Sequence, residues 1–413
     1  MKIKHILSLI LALIIALSMV ACGNNTETPE TTVKKVETGV VDPLSWDDIE
    51  KIPVATDSMT EEELRQICLD FMRLQLTYGW TVSDEVVYSN GRKEKTFYPG
   101  QIYGGSPYIA STFGSLYTAT EYIDPDNGMI DTSNGKGVFK NFSNQCSSST
   151  FWAWARVCNS LKYGGTNDCT PTYGCVKVGD YTYPETVTQF TSMPTFDICM
   201  ENGEQTMFES YALLKPADGL VYYSNAGHVI MVSKEPNVVR AADGTIDGSK
   251  STITFMDQCM SWNKQKQADG SDYEIEGCVD EVFTFNGLLK DGYVPFTIAE
   301  LNKQDPVEKA EVSINYSESS VNAMELAGCE VTSNYAISNV ILTVKDKDGK
   351  QVYRSFLNAH AEDLTATMRA VSLFPISNAN NLKPYADGNH TVEINVRVGS
   401  GELLNAYTGT LVA

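Results

Sequence analysis

The sequence has few basic residues and very few histidines. Its 413 residues include 31 Lys and Arg against 52 Asp and Glu, a formal net charge of −21, and only four histidines. Nucleic-acid binding needs a basic surface, so the composition argues against a nucleic-acid partner. Charged residues make up only 20% of the chain, too few for a disordered protein, and no period indicates a coiled coil or a solenoid.

Motifs that hold metals and nucleotides are absent as well. No C-x-x-C pair occurs, and no cluster of Cys and His has the spacing of a zinc site. The glycine-rich run at 134–137 (Asn-Gly-Lys-Gly) lacks the lysine and hydroxyl residue that follow the second glycine of a P-loop. We therefore predict that the protein uses no metal and no organic cofactor.

The N-terminal residues are typical of export. Lys2 and Lys4 precede an apolar run that ends at Val20, shorter than the roughly 20 residues that span a bilayer. We predict a signal peptide over 1–21. The segment 18–23 (Ser-Met-Val-Ala-Cys-Gly) is similar to a bacterial lipobox, which implies lipidation of Cys22. An uncleaved anchor helix is the alternative.

A polar segment follows, rich in Thr, Glu, Val and Asn, and we interpret 22–58 as the lipidated cysteine and a flexible tether. The expected location is the extracellular face of a bacterial membrane, with membrane contact through the lipid alone. Nine cysteines remain beyond Cys22, an odd number, so at least one stays outside any intramolecular disulfide. Cys169 and Cys175 are one candidate pair, although spacing alone does not define the pairing.

Two helices are predicted in the first half of the chain. Thr60 and Glu63 form a capping box before an apolar face made by Leu64, Ile67, Cys68 and Phe71. Trp80, beyond this helix, either lines a pocket or fills the core, and the core is favoured.

The second helix has Cys146 near its first turn and an apolar face made by Phe151, Trp154, Ala155, Cys158 and Leu161. The positive end of the helix dipole stabilises a thiolate there, and unpaired N–H groups provide an oxyanion site.

A histidine and two polar side chains complete a possible nucleophilic set. A hairpin is predicted with strands at 220–223 and from His228, and a further strand over 252–256 ends at Asp257 and Gln258. The other histidines lie in the signal peptide or in the C-terminal part, so His228 is the one candidate base for Cys146. A purely structural role for this Cys and His is the alternative.

Several motifs together resemble the NlpC-type papain-fold peptidase superfamily, with features of CHAP amidases. They are Tyr-Gly-Gly-Ser-Pro-Tyr at 103–108, Asn-Gln-Cys-Ser at 144–147, Lys-Pro-Ala-Asp-Gly-Leu-Val-Tyr-Tyr at 215–223 and Gly-His-Val-Ile-Met-Val at 227–232. The resemblance covers roughly residues 100 to 262. It implies a papain-like α+β fold in which the helix with the cysteine packs on an antiparallel sheet.

The resemblance also implies residue roles. Cys146 is the nucleophile, His228 the base, and Asp257 or Gln258 the orienting group, with Asp257 favoured because a carboxylate best stabilises an imidazolium. It places Tyr108 near the nucleophile, and we add Gln145, Ser147 and Trp80 as substrate contacts. Gln145 and Ser148 stand where family members usually have Asp and Gly.

The C-terminal part changes to a strand pattern. Alternation at Val312, Ile314 and Tyr316 and again at 392–398, with a turn at 346–349, predicts an immunoglobulin-like β-sandwich over 306–413. The catalytic-type domain is expected over 59–300.

The leading hypothesis is a lipid-anchored cysteine hydrolase that cleaves an amide bond, in peptidoglycan stem peptides or another peptide or amide substrate. The alternative is a non-catalytic wall- or glycan-binding lipoprotein with a degenerate papain-like domain.

Overall fold

The computed structural model describes residues 47–110, 112–124, 127–162, 164–266, 270–358 and 369–413. The predicted signal peptide, the lipidation site Cys22, most of the predicted tether, His5 and His360 lie outside these residues. The fold is mixed α/β with several sheets. No helix among the described residues has the length and apolar character needed to cross a membrane.

The chain forms two compact units whose boundaries differ from the predicted domain boundaries. The first unit is made of Gly164–Phe255 and Asp280–Thr297. The second unit is made of the described residues of Thr38–Tyr163, Met256–Val279 and Ile298–Ala413. The C-terminal strands therefore share a unit with the helix that begins at Cys146.

Among its described residues, the N-terminal part of the second unit contains five α-helices and five short strands. They are α1 (Asp47–Lys51), α2 (Glu61–Thr77), β1 (Gly79–Val82), β2 (Val86–Ser89), β3 (Glu94–Phe97), β4 (Tyr103–Gly104), α3 (Leu116–Ala119), β5 (Met129–Ile130), α4 (Phe139–Phe142) and α5 (Cys146–Trp154). The capping box of α2 is confirmed: Glu63 N donates to Thr60 Oγ1 at 3.2 Å, and Thr60 N donates to the Glu63 carboxylate at 2.8 Å.

The middle of the chain supplies the longer strands. The elements are β6 (Cys175–Lys177), α6 (Thr195–Asn202), α7 (Glu204–Ala212), β7 (Gly219–Tyr223), β8 (Gly227–Asn237), β9 (Thr252–Lys266), β10 (Asp272–Thr284), α8 (Phe285–Asp291) and β11 (Val294–Ile298). In the first unit the strand order is β9-β8-β7-β11-β6, and in the second it is β5-β1-β4-β10-β9. Strands β9 and β10 contribute residues to both units. The predicted β7–β8 hairpin is confirmed.

Two sheets form the C-terminal part. Their elements are β12 (Val312–Ile314), β13 (Ser320–Val321), α9 (Ala323–Ala327), β14 (Glu330–Ser333), β15 (Ile337–Lys345), β16 (Gln351–Asn358), β17 (Ala370–Ser372), α10 (Ala379–Leu382), β18 (His390–Val398) and β19 (Leu403–Leu411). One sheet has the order β12-β14-β17 and the other β13-β19-β18-β15-β16. Residues of both sheets join one apolar core, and the predicted inward residues of 392–398 are all fully buried there. The predicted turn at 346–349 joins β15 to β16, with Gly349 at φ 79°.

Two predicted boundaries are wrong. Helix α5 ends at Trp154, so Cys158 lies after the helix and not three turns along it. The chain turns there because the Arg156 guanidinium is buried and donates to the carbonyls of Ile52 (3.3 Å) and Pro53 (3.0 Å), and also bonds to the hydroxyl of Tyr117.

The sequence predicts a strand that ends near Asp257. In the structure strand β9 continues past this residue to Lys266. Its polar second half pairs with β10, where Lys266 Nζ lies 2.5 Å from the Asp272 carboxylate. Asp257 and Gln258 are therefore mid-strand residues.

The candidate disulfide between Cys169 and Cys175 is not formed. None of the described cysteines, from Cys68 to Cys329, takes part in a disulfide in the structure.

Candidate functional site

The start of α5 is built by small polar side chains. Gln145 is the N-cap residue, in extended conformation, and its N–H donates to Ser148 Oγ and to Asn144 Oδ1, both at 3.0 Å. Ser148 Oγ also bonds to Asn144 Oδ1. These bonds stabilise the turn that brings the chain into the helix, so the position of the next residue, Cys146, is fixed from two sides.

Cys146 is the first residue of α5, and only 5% of it is exposed. The intrahelical hydrogen bonds begin with Ser149 N, which donates to Gln145 O at 2.9 Å. The amide groups of the first turn therefore point toward the helix start, where the dipole is positive. A thiolate and an oxyanion are both stabilised by such an environment. Ser147 follows in the same turn and is also buried.

Buried amide side chains hydrogen-bond to α5 and to the residues just before it. Gln75 of α2 donates to Ser149 O at 2.9 Å and accepts from Asn144 Nδ2 at 3.4 Å. Sequence reasoning missed Gln75, although it lies four residues after Phe71 and so falls on the predicted apolar face of α2. A lone amide on such a face indicates a buried partner, which here is the helix that carries Cys146.

Gln258 lies on the face of β9 that contacts α5. Its Nε2 donates to Ser106 O at 2.8 Å and to Glu276 O at 2.5 Å, and its Oε1 accepts from Ser149 Oγ at 3.4 Å. Adjacent residues of a strand point to opposite faces, so Asp257 is on the other face of β9. There Asp257, largely buried, lies beside the thiols of Cys259 and Cys278. The structure therefore separates the two predicted orienting residues.

Tyr108 is tied to both α5 and β10. It forms a bridge with Asn144, and Ile109 N donates to Asn144 O at 3.1 Å. On its other side, Tyr108 N donates to the Glu276 carboxylate at 2.7 Å. Tyr108 therefore lies beside Asn144, which precedes Cys146 by two residues in the chain.

Glu276 is a buried acid that sequence reasoning did not identify. Its carboxylate also accepts from Asn90 Nδ2 at 2.5 Å, and Tyr88 Oη lies 3.2 Å away. Burial raises the pKa of Glu276 to about 7, and the hydrogen bonds from Tyr108, Asn90 and Tyr88 together with the charge of Lys95 oppose this rise. Burial, with the nearby Glu276 charge as a lesser cause, also raises the pKa of Tyr88.

The phenol of Tyr88 has one proton, and it bonds to Tyr108 O. The same proton is shared with the Glu276 carboxylate, to which Tyr88 Oη donates at 3.2 Å. With a pKa of about 7, Glu276 is neutral over part of the physiological pH range.

His228 belongs to the first unit, at the start of β8, and is partly exposed. It pairs with Tyr222 of β7, whose ring centroid lies 6.3 Å from the imidazole centroid. Tyr222 in turn contacts Tyr293 edge-on at 5.0 Å. The preceding Gly227 allows Thr166 to approach closely, because a Cβ at 227 would lie 2.1 Å from Thr166 Oγ1.

Trp80 lies in the core and not in a pocket wall. Its ring packs among Phe97, Tyr103 and Phe139 at centroid distances of 5.1 to 5.8 Å. Its indole N–H donates to Gly105 O at 2.7 Å. With 2% exposure, the side chain has the core role that the sequence favours and makes no surface for a substrate.

No protein-family model, no curated protein and no solved structure matches the chain.

Proposed function

We propose that the protein is a cysteine hydrolase that cleaves an amide bond, with cell-wall peptide as its substrate. The observation that carries this proposal is the position of Cys146 as the first residue of a buried helix whose start is fixed by Asn144, Gln145 and Ser148. Three further parts belong to the same proposal. A papain-like domain rests on the family resemblance, an immunoglobulin-like C-terminal sandwich on the strand alternation, and lipid anchoring through Cys22 on the similarity of 18–23 to a lipobox.

In the proposed mechanism His228 takes the proton of Cys146 and the thiolate attacks the carbonyl carbon of the amide. First-turn N–H groups of α5 stabilise the oxyanion, and the protonated His228 gives its proton to the leaving amine. Water then attacks the thioester with His228 as the base, which releases the acid product and restores the thiol.

The orienting group must accept the second N–H of the imidazole. We propose Gln258 for this role in preference to Asp257, because Gln258 lies on the face of β9 that contacts α5. Its amide nitrogen already donates to two carbonyls, which leaves the amide oxygen as the acceptor.

The decisive experiment measures the release of muropeptides from purified cell wall by the mature chain. We expect Cys146→Ala to lower the rate at least about a thousandfold, because the nucleophile is lost. Cys329→Ala is the matched control, since Cys329 is equally buried but lies in the C-terminal part. Equal release by the wild type and Cys146→Ala would refute the hydrolase; wall binding without release would favour the non-catalytic alternative.

The pairing of Cys146 with His228 has its own test. The alkylation rate of Cys146 by iodoacetamide, followed by peptide mapping across pH 5 to 9, reports thiolate formation. We expect His228→Ala to move the rate profile to higher pH, since a protonated imidazole no longer stabilises the thiolate. His390→Ala is the control, and an unchanged profile in His228→Ala contradicts the pairing.

A further inference from the structure

A second cluster of reactive side chains lies on strands β9 and β10. Asp257 and Cys259 are two residues apart on β9 and so share one face of the strand, and Cys278 is on the neighbouring strand β10. One ligand atom from each of the three residues lies within 4.8 Å of the other two. These residues play no part in the proposed nucleophilic mechanism, and this face of β9 is opposite the face that contacts α5.

The spacing of the two thiols fits a shared metal ion. Their sulfur atoms are 3.9 Å apart. Two thiolates that bind one tetrahedral ion with bonds of about 2.3 Å lie about 3.8 Å from each other. A disulfide needs a separation of about 2 Å, so the two sulfur atoms would have to move closer to form one. The observed geometry therefore suits ligation of an ion without rearrangement.

The surroundings of the thiols also suit a metal. Asn263 Nδ2 lies 3.4 Å from Cys278 Sγ and donates to Gly277 O at 2.8 Å, so an amide donor is held beside a sulfur that would carry negative charge. Such second-shell donors orient and stabilise metal-bound thiolates. Cys259 and Cys278 are partly exposed, which gives an ion access and leaves room for a water as the fourth ligand.

We propose that Asp257, Cys259 and Cys278 form a binding site for one borderline-soft divalent ion of the zinc class. Two thiolates and one carboxylate bind such an ion in preference to Mg²⁺ or Ca²⁺, because those ions favour oxygen ligands. No sequence motif indicates this site, because the two cysteines are 19 residues apart and meet only through strand pairing. The inference goes beyond the proposed hydrolase and does not depend on it.

The test is a titration of the reduced, metal-free mature chain with Co²⁺ alone, followed by Zn²⁺. We expect one equivalent of Co²⁺ to produce the near-ultraviolet band of thiolate-to-cobalt charge transfer, and Zn²⁺ to displace it. We expect Cys259→Ser and Cys278→Ser each to weaken Co²⁺ binding at least about a hundredfold. Asp257→Asn also weakens Co²⁺ binding but keeps the charge-transfer band, because both thiolates remain. Cys329→Ser is the matched control and keeps the full band.

Any one of three results overturns the proposal. The reduced wild type shows no charge-transfer band, or the band survives in the double variant that carries both Cys259→Ser and Cys278→Ser. The third is a disulfide between Cys259 and Cys278 in protein isolated without reductant. Circular dichroism of each variant shows that loss of the band is not loss of the fold. Muropeptide release is measured separately on the same samples, so failure of the metal site and failure of the hydrolase are distinguishable.

Discussion

The core behind Cys146 and the core of the C-terminal sheets bury different kinds of side chains. Behind Cys146, α5 is held by the fully buried Gln75, Asn144 and Gln258, with Glu276 next to Tyr108. The two C-terminal sheets share a cluster of buried apolar side chains, among them Val340, Leu342, Ile394 and Val396. The first core fixes directions through hydrogen bonds, and the second is filled by packing.

This difference indicates that the apolar core mainly stabilises the fold, whereas the polar core mainly sets the positions of chain segments. An aliphatic core contributes free energy in proportion to the apolar area that it buries and sets few directions. A buried polar network contributes less net free energy, but each unmet group is costly, so only one arrangement of the chain satisfies it. The protein has such a network next to the start of α5.

The largest stability effect is expected in the apolar core. Leu342 on β15 is fully buried opposite Ile394 of β18, so Leu342→Ala leaves a cavity between the sheets. We expect a loss of about 3 to 5 kcal/mol in the free energy of unfolding, measured with urea. The alkylation rate of Cys146 in the folded variant should not change. A changed rate under native conditions would break the comparison, because it would show that packing of the C-terminal sheets affects the position of the thiol.

A smaller effect, which depends on pH, is expected in the polar core. The folded pKa of Glu276 is about 7 against an ordinary value of 4.5, so between these values the folded state keeps a proton that the unfolded state loses. This group's contribution to stability therefore falls as pH rises through that window, by about 3 kcal/mol in all.

The side chain at this position is uncharged at every pH in the Glu276→Gln variant. The variant therefore does not show this loss of stability as pH rises. We expect the stability difference between the wild type and Glu276→Gln to shift in favour of the variant from pH 4.5 to pH 8, as measured by urea midpoints. Glu311→Gln, at an exposed glutamate, is the control for general charge effects. A difference that stays constant over this range contradicts a neutral buried Glu276.

The smallest effect is expected at Gln258. Replacement by Leu keeps the volume but leaves the carbonyls of Ser106 and Glu276 without their donor, which costs about 2 kcal/mol. Because Gln258 also contacts Ser149 of α5, we expect the alkylation rate of Cys146 to change as well. Gln351→Leu, at an exposed position of β16, gives the baseline for the substitution itself. Loss of stability with no change at Cys146 would limit Gln258 to a scaffold role.

Local signals predicted much of the secondary structure. The capping box at Thr60, the β7–β8 hairpin and the turn before Gly349 each depend on a few adjacent residues, and each is found as expected. The alternation at 392–398 likewise predicted a strand with one buried face.

Long-range contacts account for what the sequence did not predict. The helix start at Cys146 was visible, but its end depends on Arg156, whose partners lie about 100 residues earlier. Strand β9 extends because it pairs with β10, a strand that follows it in the chain. Glu276 and the pair of Cys259 with Cys278 depend on strand pairing, which periodicity within one strand does not encode.

Arg156 also ties two distant parts of the chain together. Its guanidinium joins the carbonyls of Ile52 and Pro53 to the end of the helix that begins with Cys146. The two ends of α5 are therefore held by different means: neutral hydrogen-bonding side chains act at Cys146, and one buried cation acts beyond the other end.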